Sequence, residues 1–324
     1  MSSSSLFASI REASRAVAEQ ARQVHIQHDQ LAASAALLAP AGEARRDQDP
    51  RFQELGVDDG EKMAALICCL DAIEFGSGWH PLLRKRPGLS GSLSIAKAMT
   101  ERLLPEPLTA AQLCRVDTAD CASVCGQTLD GGPVEELMRL FAEALRELGE
   151  LVQRLCAGRF LGLVEVAAGS AERLVQTLGA LPAFHDVSDY HGFDVPFYKR
   201  AQLLTADLAA ALSAPGEPLL FEDLDSLTLF ADNLVPHVLR VEGLLAYEPG
   251  LTAAIDAGEL IPAGSDEEIE IRACGVQVVE LLVQARREAG HPISARELDY
   301  ALWTRGQLPR YKASARHRTR SRFY

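Results

Sequence analysis

The chain has 324 residues, 48% of them hydrophobic, and a formal net charge of −13 at pH 7. This length and apolar content can bury a substantial core in one large domain or two ordinary ones. The acidic balance excludes a broad nucleic-acid footprint, which requires many Lys and Arg side chains on phosphates. No segment approaches the ~20 apolar residues that span a bilayer.

The N-terminal segment and the cysteines indicate the cellular compartment in which the protein is expected to reside. Residues 1–15 lack the continuous apolar core of a signal peptide. The seven cysteines are odd in number and suggest no disulfide framework, and Cys121 and Cys125 do not have metal-ligand spacing. We therefore expect a reducing, cytoplasmic environment.

Helical periodicity dominates the chain, because apolar residues recur at three- and four-residue intervals with charged residues between them. In chain order, these stripes predict helices over residues 8–22, 62–73, 137–155, 171–179, 201–212, 235–245 and 269–287. Breaks at 88–91, 130–133, 214–216 and 262–265 indicate short interhelical turns, and the Asp-rich stretch 47–59 indicates a loop. Alternating strand patterns are scarce. The sequence therefore predicts a mainly α, single multi-helix domain over residues 1–324.

The C-terminal segment 310–324 is basic although the chain as a whole is acidic, and it contains no Asp or Glu. One interpretation is a solvated or disordered tail that pairs loosely with the acidic body. The other is a segment that folds over a binding site and holds a phosphate through charge-assisted hydrogen bonds.

Asp232 is the acid that best fits a catalytic role. It follows Phe230 closely and lies downstream of Lys199. A carboxylate beside apolar and aromatic side chains can stabilise a developing cation or take a proton from water, as cleavage of a glycosidic bond requires. The alternative interpretation is an Asp that caps the helix near Pro236.

Several motifs occur together in a characteristic order. They are residues 70–81 (LDAIEFGSGWHP), 197–202 (FYKRAQ), 227–232 (LTLFAD), 268–273 (EIEIRA) with 279–281 (VEL), and 298–303 (LDYALW). In order and spacing they resemble the queuosine-salvage glycosylases, over most of the chain. The resemblance implies hydrolysis of the N-glycosidic bond of queuosine 5′-phosphate, which releases queuine, a 7-deazaguanine base, and ribose 5-phosphate. It also implies an all-helical fold similar to helix-hairpin-helix DNA glycosylases.

The resemblance also implies roles for individual residues. Asp232 is expected to be catalytic, and so is Lys199, which would hold the ribose or the 5′-phosphate or lower the pKa of Asp232. In the base pocket, the carboxylate of Glu74 suits the N–H donors of a guanine-like edge, and aromatic faces stack on its ring. The other candidate substrate-binding residues are Phe75, Trp79, Tyr198, Phe230, Asp299, Trp303, His317, Arg320 and Tyr324.

Three other charged residues are expected to have a structural role, and the motifs that indicate a metal or a cofactor are missing from the sequence. Glu268, Glu270 and Arg272 are expected to form a structural ion-pair set. The sequence has no His-Glu-x-x-His, no Cys-x-x-Cys and no phosphate-cradling Gly-rich loop, so we expect neither a metal nor an organic cofactor.

The expected partner is a small molecule, with no stable nucleic-acid complex, no membrane and a monomeric state. Two other functions remain open. One is a DNA-type glycosylase, against which the acidic charge argues. The other is a non-catalytic helical module that binds a modified base or a protein.

Overall fold

The computed structural model describes residues 5–37, 55–213 and 220–324. Its helices are α1 (Leu6–Gln20), α2 (Leu31–Leu37), α3 (Gly60–Ala72), α4 (Gly91–Leu103), α5 (Ala110–Leu113), α6 (Thr118–Cys125), α7 (Pro133–Cys156), α8 (Gly162–Ala167), α9 (Ala171–Gly179), α10 (Lys199–Leu212), α11 (Val235–Val241), α12 (Pro249–Asp256), α13 (Asp266–Glu288), α14 (Ala295–Gly306) and α15 (Pro309–Lys312). Short 3₁₀ turns occur at His28–Gln30, His80–Leu82 and Leu224–Ser226. The predicted mainly α class is confirmed. The predicted break at 214–216 and residues 47–54 of the predicted loop lie outside the described residues.

The described residues also form four short strands: β1 (Val24–Ile26), β2 (Val187–Tyr190), β3 (Phe193–Pro196) and β4 (Leu245–Tyr247). β1 pairs antiparallel with β4, and β2 pairs antiparallel with β3 in a hairpin. The hairpin turns at His191 and Gly192, both of which have positive φ (51° and 90°), as a tight two-residue turn requires. The prediction of one helix over 235–245 is wrong at its end, because Gly243 at φ 77° stops the helix before β4.

Tertiary contacts group the described residues into two compact units. The first unit contains the described parts of residues 1–46, together with Asp186–Lys199 and Asp225–Arg320. The second contains the described parts of 47–185, together with Arg200–Leu224 and Ser321–Tyr324. Each unit therefore draws on segments that are distant in the sequence, and the prediction of a single domain over 1–324 stays a prediction.

In the first unit, α1 packs against α13. α1 buries Phe7, Ile10 and Val17 at helical spacing. The turn after α1 is fixed to α13 by Glu270, whose buried carboxylate accepts the backbone N–H groups of residues 22, 23 and 24 at 2.7–3.1 Å and the hydroxyl of Tyr190 at 3.0 Å. Glu270 therefore serves as a structural acceptor of backbone groups, in place of the predicted ion pair.

In the second unit, α7 is the longest helix and packs against α3, α5, α6 and α8. Its apolar stripe, predicted over 137–155, is buried along its length. At Gly149, α5 comes so close that an added Cβ would lie 2.7 Å from Leu113 Cβ and 2.8 Å from the Ala110 carbonyl oxygen. Only glycine permits this approach between the two helices.

Two further observations concern membrane-spanning helices and the state of the cysteine thiols. Across residues 5–37, 55–213 and 220–324, no helix is long and apolar enough to cross a membrane. All seven cysteines are free thiols, and all except Cys114 are buried.

Candidate active site

Asp232 lies at the end of a loop, residues 227–234, that leads into α11. The residues before Asp232 are buried from Leu227 to Ala231. The Phe230 N–H donates to Asp299 Oδ1 at 3.2 Å, and the Ala231 carbonyl oxygen accepts from Arg272 Nε at 3.0 Å. Two side chains, one from α13 and one from α14, thus hold the backbone on the N-terminal side of Asp232.

The carboxylate of Asp232 is also held from the C-terminal side. Its Oδ1 accepts the backbone N–H groups of Leu234 at 2.7 Å and Val235 at 3.1 Å. These bonds cap the turn that leads into α11 and not the helix itself, whose N-cap residue is Leu234 with no side-chain cap, so the alternative interpretation of Asp232 as the helix cap is wrong. Asp232 is only partly buried, and its Oδ2 accepts no hydrogen bond from any residue that the structure describes. One oxygen therefore orients the carboxylate and the other stays available.

A buried ion pair lies behind this loop. Arg272 of α13 forms a bidentate ion pair with Asp186, in which Nη1 donates to Oδ1 at 3.0 Å and Nη2 donates to Oδ2 at 2.6 Å. Its guanidinium carbon lies 3.9 Å from the centre of the Phe197 ring, and Nη1 is 3.3 Å from Glu268 Oε1. The predicted pairing of Glu268 with Arg272 is confirmed, whereas the role of Asp186 was not predicted.

Asp186 also organises the segment that carries Lys199. Its carbonyl oxygen accepts the N–H groups of Phe197 at 2.9 Å and Tyr198 at 3.2 Å, and its Oδ2 accepts the Lys199 N–H at 3.1 Å. Tyr198 has φ 47°, a left-handed conformation that costs energy in a bulky residue. Lys199 is buried at the first position of α10.

Part of the basic C-terminal segment packs beside Asp232 in the same unit. Asn233 Nδ2 donates to the His317 carbonyl oxygen at 3.0 Å. Arg316 as a whole residue is exposed, but its guanidinium is desolvated, which lowers the pKa of that group. The negative charge of Asp232 acts in the opposite direction and raises this pKa. The Arg318 carbonyl oxygen accepts the Ile261 N–H at 2.9 Å. The interpretation of a loose, disordered tail is therefore wrong for this stretch.

His317 itself is buried, and its environment disfavours a charge. Desolvation lowers the pKa of His317 to about 3, and the nearby positive charge of Arg272 adds to the effect. At neutral pH the ring is therefore uncharged and offers hydrogen bonds without a positive charge. Arg320, which follows it by three residues, is exposed to solvent.

Asp299 and Trp303 both lie on α14, as the i, i+4 spacing suggested. Asp299 is buried, and one of its carboxylate oxygens holds the Phe230 N–H. Trp303 is partly exposed and stacks on Tyr300, with ring centres 6.5 Å apart. Asp299 is thus directly connected to the Asp232 loop through Phe230, which is itself buried.

The remaining predicted residues belong to the second unit and cluster around the turn after α3. Phe75 and Trp79 are buried, and the Trp79 Nε1–H donates to Glu136 Oε2 at 3.0 Å. The Gly76 N–H between them donates to the Tyr324 carbonyl oxygen at 3.0 Å. Glu74 is partly exposed beside this turn. The structure therefore brings Phe75, Trp79 and Tyr324 together within this unit.

Arg200 supports the same cluster from α10. Its guanidinium lies 4.6 Å from the centre of the Phe75 ring and 4.7 Å from that of Phe184. It also donates to the carbonyl oxygens of Ala72, Ala183 and Arg322. This buried cation therefore fixes the backbone near Phe75 and near the end of the C-terminal segment.

Comparison with known proteins decides the family. The sequence profile described as queuosine salvage protein matches residues 59–324. The chain belongs to the queuosine salvage protein family. A queuosine 5′-phosphate N-glycosylase/hydrolase of Sphaerobacter thermophilus is 37% identical to it over 96% of both chains. Proteins of the same name from Mus musculus and Dictyostelium discoideum are 29% identical over 97% of this chain and 98% of theirs, and 32% identical over 71% and 70%.

The matched range of this queuosine salvage protein contains every candidate site residue, from Glu74 to Tyr324. It also contains Asp186 and Arg272, which sequence reasoning did not place in the site. Among the described residues, no group of three or more His, Cys, Asp and Glu side chains could hold a metal ion. The chemistry that the described geometry offers is that of an oriented carboxylate with one available oxygen.

Proposed function

We propose that this queuosine salvage protein hydrolyses queuosine 5′-phosphate to queuine and ribose 5-phosphate. The observation that carries the proposal is its similarity over nearly the whole chain to relatives named for this activity. The geometry of Asp232 supports it independently, because a glycosidase needs a carboxylate at the sugar. The product base would then be available for salvage into tRNA modification.

The reaction breaks the bond between ribose C1′ and the base nitrogen, and the electron pair leaves with the base. Positive charge develops on the ribose as an oxocarbenium-like state, and a water oxygen adds to C1′. A 7-deazapurine has no N7 to protonate, so more of the barrier falls on stabilising the ribose cation. Asp232 Oδ2 would supply the negative charge and accept the proton of the attacking water. The departed base would take up a proton at the nitrogen that was bonded to C1′, and Asp232 would return its proton to solvent, so that the products are queuine and ribose 5-phosphate.

The hydrogen bonds to Asp232 Oδ1 have a chemical consequence. The N–H groups of Leu234 and Val235 fix Oδ1 and thereby the plane of the carboxylate. A preoriented charge stabilises a transition state without reorganising during the reaction. Oδ2 needs no rearrangement before it meets the ribose or the water.

The substrate-binding roles follow from the types of the residues. Lys199 would hold the reacting ribose, Arg320 would hold the phosphate end by charge, and His317 and Tyr324 would hold that end by hydrogen bonds. Glu74 would accept N–H groups of the base edge, and Phe75, Trp79, Tyr198 and Phe230 would contribute aromatic surface. Asp299 and Trp303 would support the site from α14.

The test compares substrates first and then variants. The purified chain should release queuine from queuosine 5′-phosphate and no guanine from GMP, as followed by chromatography and mass spectrometry. Asp232→Asn should lower turnover by roughly 10²-fold or more. The amide oxygen of Asn can accept the same two N–H groups as Asp232 Oδ1, so this variant should keep its fold while it loses the negative charge.

Asp59→Asn is the matched control. Asp59 is the N-cap of α3, and its Oδ1 accepts the N–H groups two and three residues further on, those of Glu61 and Lys62, at the same spacing as Asp232 Oδ1. This variant should keep wild-type turnover. Wild-type turnover by folded Asp232→Asn would reject the catalytic role of Asp232. Absence of queuine release by the unmodified chain would favour the non-catalytic binding module.

We further propose that the enzyme is a cytoplasmic monomer without a stable nucleic-acid partner, and that its helices are arranged as in helix-hairpin-helix DNA glycosylases. The net charge of −13 supports the absence of nucleic acid, and free thiols suit a reducing compartment. Salt-sensitive duplex binding would instead favour the DNA-type glycosylase. Light scattering tests the oligomeric state.

A further inference from the structure

Arg272 and Asp186 form the most completely buried charge pair that the structure describes in the first unit. Each residue keeps only 1% of its surface exposed. The contact is bidentate, with Nη–Oδ distances of 3.0 and 2.6 Å. The planar guanidinium also lies over the ring of Phe197 and donates a hydrogen bond to the carboxylate of Glu268. The pair is therefore rigid, because every group around it is held by at least one defined contact.

The pair is connected to both residues that we propose for catalysis. On one side, Arg272 Nε donates to the carbonyl oxygen of Ala231, the residue directly before Asp232. On the other side, Asp186 accepts the N–H of Lys199 through its carboxylate. The two catalytic candidates are far apart in the sequence, yet the same ion pair bonds the backbone of Lys199 and the backbone of the residue before Asp232.

The energetics of buried charges indicate what such a pair provides. Desolvating two charges costs much of what their attraction returns, so apolar replacements of both partners are often neutral or stabilising. Net stability is therefore a weak explanation for this pair. Geometry is a better one, because a bidentate Arg–carboxylate contact fixes both distance and orientation.

We propose that Arg272 and Asp186 are positioning residues, which set the placement of Asp232 and Lys199 for glycosidic-bond cleavage without touching the substrate. This inference rests on the proposed function. A misplacement of about 1 Å in a reacting group can lower turnover by about 10²-fold. The pair should therefore affect kcat far more than it affects KM or stability.

The decisive variant replaces both charges at once, as Arg272→Met with Asp186→Leu. It is made together with Glu268→Gln, because the buried Glu268 carboxylate also pairs with Arg272 and would otherwise lose its cation, so its melting temperature should stay near that of Glu268→Gln alone. Its kcat for queuosine 5′-phosphate should fall by roughly 10²-fold with KM within about threefold. Wild-type kcat in this folded combined variant would overturn the inference.

Arg272→Lys provides a second test if the combined variant does not fold. Lysine keeps the positive charge beside Asp186 but lacks the fork that reaches both Asp186 and the Ala231 carbonyl oxygen. Its kcat should fall by roughly 10-fold or more with KM nearly unchanged. A kcat equal to that of the wild type would again overturn the positioning role.

Arg296→Met is the matched control. Arg296 is also a buried arginine of the first unit, and it pairs with Asp225 at 3.1 Å. No described contact joins Arg296 to the loop 227–234 or to Lys199, so kcat should stay near wild type. If the unmodified chain released no queuine, the proposed function would fail and this inference with it. Equal turnover by wild type and the Arg272 variants would reject the positioning role alone.

Discussion

His317 makes the stability of the folded chain depend on pH, with a sign that follows from its burial. Its pKa lies at about 3 in the folded protein, because desolvation disfavours the charged ring, against 6.5 for a histidine in solvent. Below pH 6.5 the unfolded chain therefore binds a proton that the folded chain does not bind. The free energy of unfolding should fall as the pH drops from 6.5 towards 3.

The magnitude at mildly acidic pH can be worked from these two values. At a pH of about 5, the solvated ring is almost fully protonated, about 1.5 units below its pKa. At about 1.4 kcal/mol per unit, this amounts to about 2 kcal/mol of lost stability. The result hardly changes for any folded pKa below about 4, so it depends on the direction of the shift more than on its size.

The assay is urea unfolding at a pH of about 7.5 and of about 5, for wild type and His317→Gln. The difference between the two pH values should be about 2 kcal/mol smaller in the variant. Any pH-independent cost of the substitution cancels in this comparison. Leu239→Ala, which empties a fully buried site in the same unit, should lower stability at both pH values and leave their difference unchanged. An unchanged difference in His317→Gln would refute the reasoning.

Two other predictions concern packing and thiol chemistry. Gly149→Ala should lower the free energy of unfolding by about 1–3 kcal/mol, because its methyl group would lie 2.7 Å from the nearest side-chain carbon. The matched Gly250→Ala, with no neighbour within 4 Å, should raise it by about 0.4–1 kcal/mol; the opposite order in urea unfolding would contradict both. Iodoacetamide should alkylate native protein at Cys114 before Cys121 and Cys125, which are buried with pKa values raised to about 12 by desolvation. Peptide mapping that finds equal labelling at all three would exclude this order.

The sequence predicts α7 well because one physical signal dominates there. Apolar residues at three- and four-residue spacing form a face that is buried along the whole helix. The observed helix starts earlier than the stripe, at Pro133, because proline suits the first turn of a helix and needs no N–H partner there. Local rules of this kind do not depend on the rest of the fold.

Features that depend on pairing between distant segments escaped prediction. β1 and β4 have three residues each and meet across more than half of the chain, so neither shows a useful alternating pattern. Asp186 has no motif of its own, and its partner Arg272 lies 86 residues further on. Only the tertiary structure brings such groups together.

Asp232 is an intermediate case. Its sequence context suggested either a catalytic carboxylate or a helix cap, as if these excluded each other. The structure shows that Oδ1 holds the turn before α11, without being its N-cap, while Oδ2 accepts no hydrogen bond from the described residues. Sequence patterns assign one role to a residue, whereas a carboxylate has two oxygens that can serve different purposes.

The packing of α1 on α13 has a consequence for biosynthesis. α1 has 15 residues, and a lone helix of about this length is only marginally stable in water. Its partner helix is translated roughly 250 residues later, which takes roughly 12–50 s at about 5–20 residues per second. During that time α1 lacks its main packing partner, although its contacts with β1 and β3 involve earlier segments. The apolar face of α1 is therefore not fully covered until residues 266–288 have been synthesised.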